Sequence, residues 1–422
     1  MSATDGTPAP NPAARQATIA FLLELGRALH VYGAGAPRVE QAMAACGRRL
    51  GVEGQYFATQ TSIFASFGSG VAPHTELVRV EPGSVHLAKR VLLDFLVSDV
   101  LDGRHDVAAA RARIAAIDRD TLAYPGWATT LSFALASAAA ARFFDAGARE
   151  VAASACVGLA VGLLALGARR VAVLARIFEP LSAFVAASLA VALAAEIAPF
   201  STYVVIVSGL IVLLPGLSLT TAMSELALGH LAAGTARFMG AAMGFLVLAF
   251  GVALGRRVGG LLTPFEEPAA AEGLPEWSLW LALLVAPACF TVLLRARARD
   301  FVWMLLAGWI AFFAARLGAR LFGPELGVFI GACAVQAASN LYAHWRHRPS
   351  IVMSLPGILI LVPGSIGFWS LAALIESDVL SGVETAFRMA LVAVSLVAGL
   401  LLADAIVPPR DLERLVGERP VV

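Results

Sequence analysis

Charge is scarce in this chain. Only 14% of its 422 residues are Asp, Glu, Lys or Arg, against about 25% in an ordinary soluble domain. Lys89 is the sole lysine, and the net charge of +1 leaves no basic field for nucleic acid. The four cysteines, Cys46, Cys156, Cys289 and Cys333, are far apart, with no CxxC. That excludes a dithiol redox site, and Cys156, Cys289 and Cys333 lie in apolar stretches where a free thiol acts as a small hydrophobe. There is no Walker A sequence, which argues against an ATP-driven pump, and no GxSxG or HExxH for hydrolytic chemistry. His344 and His347 lie beside Arg346 and Arg348, a basic loop rather than a metal site. No cofactor or metal is expected. A cleaved signal is not expected either: the first apolar run, Ile19–Leu25, is short and interrupted by Glu24.

What the chain has instead is apolar surface. Hydrophobic residues make up 59% of it, and the mean hydropathy is +0.79. Too few polar side chains remain to cover a soluble body of this size. The expected fold is mainly α, a polytopic membrane protein preceded by a small α+β cytoplasmic domain. Residues 1–14 read as a disordered tail and 15–120 as the soluble domain. A first membrane repeat covers 121–256, a loop 257–275, a second repeat 276–407 and a cytoplasmic tail 408–422. Ten spans are expected, at about 127–144, 151–168, 177–198, 202–222, 236–254, 277–294, 301–316, 325–343, 351–375 and 386–406. Trp127, Trp277, Trp280 and Trp345 fall at their edges, where indole prefers the interface.

In the soluble part, helices are expected at 16–30, 37–50, 85–101 and 105–119. Gln55–Phe67 and Glu76–Glu81 read as strands, with turns at Gly68–Gly70 and Pro82–Gly83. Arg38 and Glu40 open the second helix. They read either as a surface charge pair or as a polar contact to a ligand or to the membrane part.

The spans repeat in sequence. Tyr124-Pro125-Gly126-Trp127 returns as Leu274-Pro275-Glu276-Trp277, and Ala148-Arg149-Glu150 as Ala298-Arg299-Asp300. Leu166–Arg169 returns as Leu317–Arg320, Phe178-Glu179-Pro180 as Phe322-Gly323-Pro324, and Thr235–Arg237 as Thr385–Arg388. Leu214-Pro215-Gly216 is answered by Val362-Pro363-Gly364. Five spans per copy is an odd number, so the second copy enters from the opposite side, an inverted repeat of the kind found in secondary transporters. With the N-terminal domain in the cytoplasm, twelve loop arginines fall on its side and seven on the other. Both termini are therefore expected in the cytoplasm.

Pro-Gly inside the fourth and ninth spans predicts two broken helices. Proline removes a donor, and the freed backbone groups must face protein or a wet cavity. Pro215, Gly216, Ser218, Thr221 and Glu225 follow the first break, and Pro363, Gly364 and Ser365 the second. With Gln336 and Asn340, four apart on one helix face, they form the candidate substrate site. Glu225, Glu179 and Asp404 are the candidate proton-coupling carboxylates, because intramembrane acids are costly unless used. Glu225 reads otherwise as a solvated helix end, the prolines as packed kinks, and Gln336 and Asn340 as links between helices.

Gly33-Ala34 with Arg38-Val39-Glu40, then Thr59-x-Thr61-Ser62-Ile63-x-x-Ser66, then Thr75 with Arg79-Val80, resembles the N-terminal domain of the threonine/serine exporter family. The two-part hydrophobic region is similar too, so the resemblance spans most of the chain. One departure is Phe144-Asp145-Ala146-Gly147, where the family usually has a Gly-Gly pair. The resemblance implies proton-driven export of threonine and serine across the inner membrane. It also implies, from relatives with split halves, export of small dicarboxylates such as succinate. Arg38, Glu40, Thr59, Thr61, Ser62 and Arg79 are the contacts expected of the N-terminal domain. The partners expected are a small amino or organic acid, protons and membrane lipid, with a homo-oligomer left open and no nucleic acid. A membrane-anchored enzyme or sensor acting through the N-terminal domain is the alternative.

The topology is tested with single cysteines near Glu272 and Arg414 and an impermeant thiol reagent on intact cells. Labelling at 272 and protection at 414 is expected. The reverse pattern would remove the inverted repeat.

Overall fold

The computed structural model describes residues 12–68, 73–81, 83–120, 124–196, 199–262, 273–375 and 378–410. It is mainly helical, with one three-stranded antiparallel sheet. The chain divides into two compact units, one of residues 1–121, 228–233 and 409–422, the other of 122–227 and 234–408. Most of the expected tail, the turn residues Ser69, Gly70 and Pro82, most of the acidic 257–275 loop, Glu376 and residues 411–422 lie outside the described residues.

The first unit runs α1 (Pro12–Val31), α2 (Ala36–Arg49), β1 (Gly54–Ala58), β2 (Ser62–Phe67), β3 (His74–Arg79), α3 (Leu87–Leu101) and α4 (Val107–Arg119). α1 starts at Pro12, so residues expected in the tail are already helical. Pro37 occupies the first turn of α2, where its missing N–H is no loss. The run 55–67 was expected as strand throughout. It folds back at Thr59–Thr61 into a hairpin, with Ala58 opposite Ile63. No glycine or proline marks that turn. Thr59 Oγ1 accepts from the Ser62 amide at 3.1 Å and the Thr59 amide donates to Ser62 O at 2.8 Å. Ile63, Ala65 and Phe67 face the core with Phe21, Leu22, Leu25, Met43 and Val39.

The second unit runs α5 (Gly126–Phe143), α6 (Ala148–Ala168), α7 (Ala172–Arg176), α8 (Phe178–Glu196), α9 (Thr202–Gly209), α10 (Gly216–Ala227), α11 (Leu231–Leu262), α12 (Trp277–Leu293), α13 (Phe301–Phe322), α14 (Pro324–Arg346), α15 (Ile351–Leu361), α16 (Gly364–Ile375) and α17 (Val379–Ile406). Among the described residues, seven helical stretches are long and apolar enough to cross a membrane: α6, α8, α11, α13, α14, α15–α16 and α17. Their apolar stripes are exposed. On α11, Met239, Met243, Leu246, Phe250 and Leu254 recur every three or four residues on the outside, a pattern that only a lipid solvent satisfies.

Close packing inside the unit uses small residues, as helices in lipid require. It repeats along the chain. A Cβ added to Gly251 would meet Pro180 O and the Ala183 Cβ, and one on Gly399 would meet Phe329 O and the Ala332 Cβ. Gly209 lies against Val157; a Cβ on Gly357 would lie closest to Val335, with Ala307 O also in contact at 3.4 Å. The α5–α6 and α12–α13 turns share hydrogen bonds at a shift of 150: Ala146 N to Ala141 O at 3.1 Å and Ala296 N to Thr291 O at 2.9 Å. Each turn has one left-handed residue, Asp145 (φ 56°) and Arg295 (φ 52°). Glycine would adopt that φ without strain. These contacts put Pro180 opposite Phe329, so the match of Phe178–Pro180 with Phe322–Pro324 is five residues out of register.

In the first unit Arg38 does not pair with Glu40. Its Nη2 donates to Asp94 Oδ1 at 2.8 Å, while Arg90 lies 3.4 Å from Asp94 Oδ2. Burial alone would raise the Asp94 carboxyl, but Arg90 and Arg38 together hold it below the ordinary carboxylate value. That contribution to stability is present above the ordinary value and is lost as pH falls through it toward the folded one. Cys46 is fully buried and burial pushes its thiol up to about 12 against the pull of Arg38, so it reports unfolding of this unit. In a chain with Cys46 as the sole cysteine, Asp94→Asn should lower the unfolding free energy read by Cys46 labelling in urea at pH 7 by about 3 kcal/mol. Lowering the pH from 7 to 3 should narrow the gap between the two proteins.

Candidate functional site

Both expected helix breaks are present. α9 stops at Gly209, and residues 210–215 form successive tight turns, with Leu213 N to Leu210 O at 2.8 Å and Gly216 N to Leu214 O at 2.8 Å. Pro215 then starts α10, its carbonyl accepting from Leu219 N at 3.0 Å. α15 stops at Leu361 because Val362, which precedes a proline, is extended (φ −63°, ψ 130°). Gly364 opens α16.

The two breaks meet. A Cβ on Gly216 would strike Val362 Cγ1 and lie 3.0 Å from Gly364 Cα; one on Gly364 would lie 3.3 Å from Gly216 Cα and 3.5 Å from Leu214 Cβ. At Gly216 a Cβ would force Val362 aside and crowd the Gly364 backbone; at Gly364 it would be tight, and a β-branched side chain would crowd it further. Pro215 also packs on Gly244 of α11. The core around the crossing joins Val205, Ile206, Leu210 and Leu219 to Phe368 of α16.

The polar residues near the breaks divide. Thr221 Oγ1 donates to Leu217 O of its own helix at 2.9 Å. Ser218 is exposed and Ser365 half-buried. Thr220, on the same face as Gly216, is buried and its hydroxyl has no partner; the same holds for Ser208 at the end of α9.

The other expected residues lie in three places. Glu225 is 1% exposed, and its carboxylate takes a two-pronged grip from Arg237 of α11, at 2.9 and 3.0 Å. It is therefore not a solvated helix end. Gln336 and Asn340 of α14 both donate to Asp404 Oδ1 of α17 at 2.8 Å, and Asn340 also donates to Val407 O at 2.7 Å. These amides tie the two helices together. Glu179 is exposed in the first turn of α8.

In the first unit, Glu40 Oε1 accepts from Ala58 N at 2.8 Å, and its Oε2 lies 3.5 Å from His230 Nδ1. Thr59 and Ser62 share a hydroxyl bond of 2.8 Å. Arg38, Glu40, Thr59 and Ser62 are thus engaged within the unit. Thr61 and Arg79 are exposed.

Three polar features were missed by the sequence reading: the Arg237 grip on Glu225, and the buried carboxylates Glu150 and Asp300. Glu150 accepts from Ser201 N at 3.3 Å. Asp300 accepts from Arg348 Nη1 at 2.7 Å, so Arg348 is a buried carboxylate's partner rather than loop charge alone. The signal was in the matched Ala-Arg-acid triplets, 148–150 and 298–300.

Seven membrane-length helices and two broken helices meeting at glycine define a multi-pass membrane protein with its polar backbone held inside. Residues 20–259 match the family model described as "Putative threonine/serine exporter", and residues 279–406 the model described as "Threonine/Serine exporter, ThrE". The chain belongs to the threonine/serine exporter family. Among curated proteins it is similar to "Pheromone-regulated membrane protein 10" of Candida albicans strain WO-1, 26% identical over 381 residues, covering 87% of this chain and 34% of the relative. The protein of that name from Yarrowia lipolytica is 27% identical over 366 residues, 82% and 30% respectively. That from Saccharomyces cerevisiae strain YJM789 is 26% identical over 386 residues, 87% and 48%. The chain thus spans 30% to 48% of these relatives' length. No solved structure matches it.

A buried ion pair is costlier to halve than to remove. Glu225→Gln or Arg237→Gln alone should each destabilise the purified protein by about 3–5 kcal/mol. The double variant should recover most of that loss in a thermal-unfolding cycle. Additive losses would show that the two side chains do not act as a pair.

Proposed function

We propose that the chain is a secondary exporter of small polar metabolites, threonine and serine above all, driven by the proton gradient across a cytoplasmic (inner) membrane. In this reading ten spans form two inverted five-helix repeats, with both termini in the cytoplasm. α5 and α12 supply the first span of each repeat and α9–α10 the broken fourth span of the first. The repeated packing at shifts of 148–150 supports the two-copy arrangement.

One observation carries the reading: the Pro-Gly breaks of the two copies touch, Gly216 against Gly364. Paired discontinuous helices give a transporter a site of backbone amides and carbonyls near the membrane midplane. The positive N-terminal ends of α10 and α16 suit a carboxylate. Among the three carboxylates weighed for proton exchange, Glu225 is occupied by Arg237 and Glu179 is exposed. Asp404, half-buried and held by two neutral amides with no ion pair among the described residues, takes that role. An exporter of small dicarboxylates is the second substrate reading. The matched breaks favour it equally, since they bind a carboxylate in either molecule.

Efflux from loaded cells or vesicles tests the proposal, with and without a pH gradient. Gly216→Val and Gly364→Val should each abolish efflux while the protein still reaches the membrane. Pro215→Ala should impair it less, because the glycine contact survives. Normal efflux in both valine variants would sink the shared site.

A further inference from the structure

Glu150 and Asp300 hold matching places in the two halves, 150 residues apart in the same Ala-Arg-acid triplet. Both are buried, at 4% and 2% exposure, at the start of the second helix of their half. Each grips the chain just ahead of the broken helix: Glu150 the Ser201 amide before α9, Asp300 the Arg348 side chain before α15. Their charge balance differs. Asp300 is neutralised by Arg348 at 2.7 Å. Glu150 has one long hydrogen bond from a backbone amide and, among the described residues, no basic side chain within ion-pairing distance. Arg142 is occupied by Ser278 at 2.7 Å and Asp145 at 3.1 Å, and Arg149 is exposed.

A buried carboxylate without a cation is expensive, and such groups are paired or occupied in folded proteins. A second orphan lies beside this one. Ser154 is one turn along the same face of α6, fully buried, and its hydroxyl has no partner. That face packs on α9, where Gly209 lies against Val157 and where Ser208 is a further buried hydroxyl without a partner. Ser201, which reaches Glu150, is followed by Tyr203. The Tyr203 ring lies 5.8 Å from Trp369, and Trp369 lies 5.9 Å from Phe144 on the turn before α6. The Trp369 Nε1 is also buried without a partner.

We infer that Glu150 binds the primary ammonium group of the transported molecule, with the Ser154 hydroxyl beside it as a second polar contact. This rests on the exporter reading and selects within it. An uncompensated carboxylate attracts an ammonium and repels a dicarboxylate, so the substrate is a zwitterionic amino acid. The two side chains are about 5–6 Å apart along the helix, a span that one small molecule carrying an ammonium and a hydroxyl or carboxylate can bridge. The ammonium supplies in this half the charge that Arg348 supplies in the other.

The test uses the purified full-length protein, with equilibrium binding of radiolabelled threonine at pH 7 beside efflux of threonine and of succinate from vesicles. Glu150→Gln keeps the shape and can still accept from the Ser201 amide. It should weaken threonine binding at least tenfold, Glu150→Asp by less, and Ser154→Ala severalfold. Unchanged binding in Glu150→Gln overturns the inference. So does a variant that binds threonine as the wild type does and differs only in its efflux–pH profile, which would make Glu150 a proton carrier. A wild-type chain that exports succinate but neither binds nor exports threonine overturns this inference and leaves the exporter reading standing. Threonine binding that depends on Glu150, without efflux of either compound, leaves this inference standing and sinks the exporter.

Discussion

A helix that stops inside a membrane leaves amides and carbonyls that lipid cannot satisfy. This chain breaks two apolar helices and lays one break on the other, Gly216 against Gly364. Much of the second unit follows from that constraint. The turns at 210–215 close on themselves with short local bonds. Pro215 is covered by α11 through Gly244, and Phe368 fills the core beside Leu210 and Leu219. Both glycines are fixed by the approach of another backbone, not by their own φ.

Around the breaks, charge is handled by pairing. Glu225 meets Arg237, Asp300 meets Arg348, and Asp404 is held by the Gln336 and Asn340 amides. In low dielectric each arrangement replaces hydration with fixed partners, and halving one is worse than deleting it. Glu150 is the exception among the described buried carboxylates of this unit, and its unpartnered neighbour Ser154 makes it a place for a ligand's charge. Glu150 and Asp300, matched in sequence, thus differ in what neutralises them.

Much of this architecture could be read in the sequence. Hydropathy located the apolar helices, and the Pro-Gly pairs located both breaks, because proline's effect on its own helix is local. Pairing across elements was not visible. Glu225 and Arg237 are twelve residues apart across a turn, and Gln336 and Asp404 lie on different helices, so no periodicity connects them. Arg38 was adjacent to Glu40 in sequence, yet its partner is Asp94, fifty-six residues on. The hairpin at Thr59–Thr61 was hidden because a threonine hydroxyl closes it where glycine or proline would have announced it.

The central claim is that the two breaks form one site whose opening moves the substrate. Leu214 Cβ lies 3.5 Å from a Cβ built on Gly364, within the range that a disulfide spans. In a chain without its four native cysteines, Leu214→Cys with Gly364→Cys should form that bond under mild oxidation. Shortening Leu214 makes room for the Gly364→Cys side chain, so the reduced double variant should retain efflux; the cross-link should stop it and reduction should restore it. Failure of the bond to form, or full efflux from the cross-linked protein, would contradict the account.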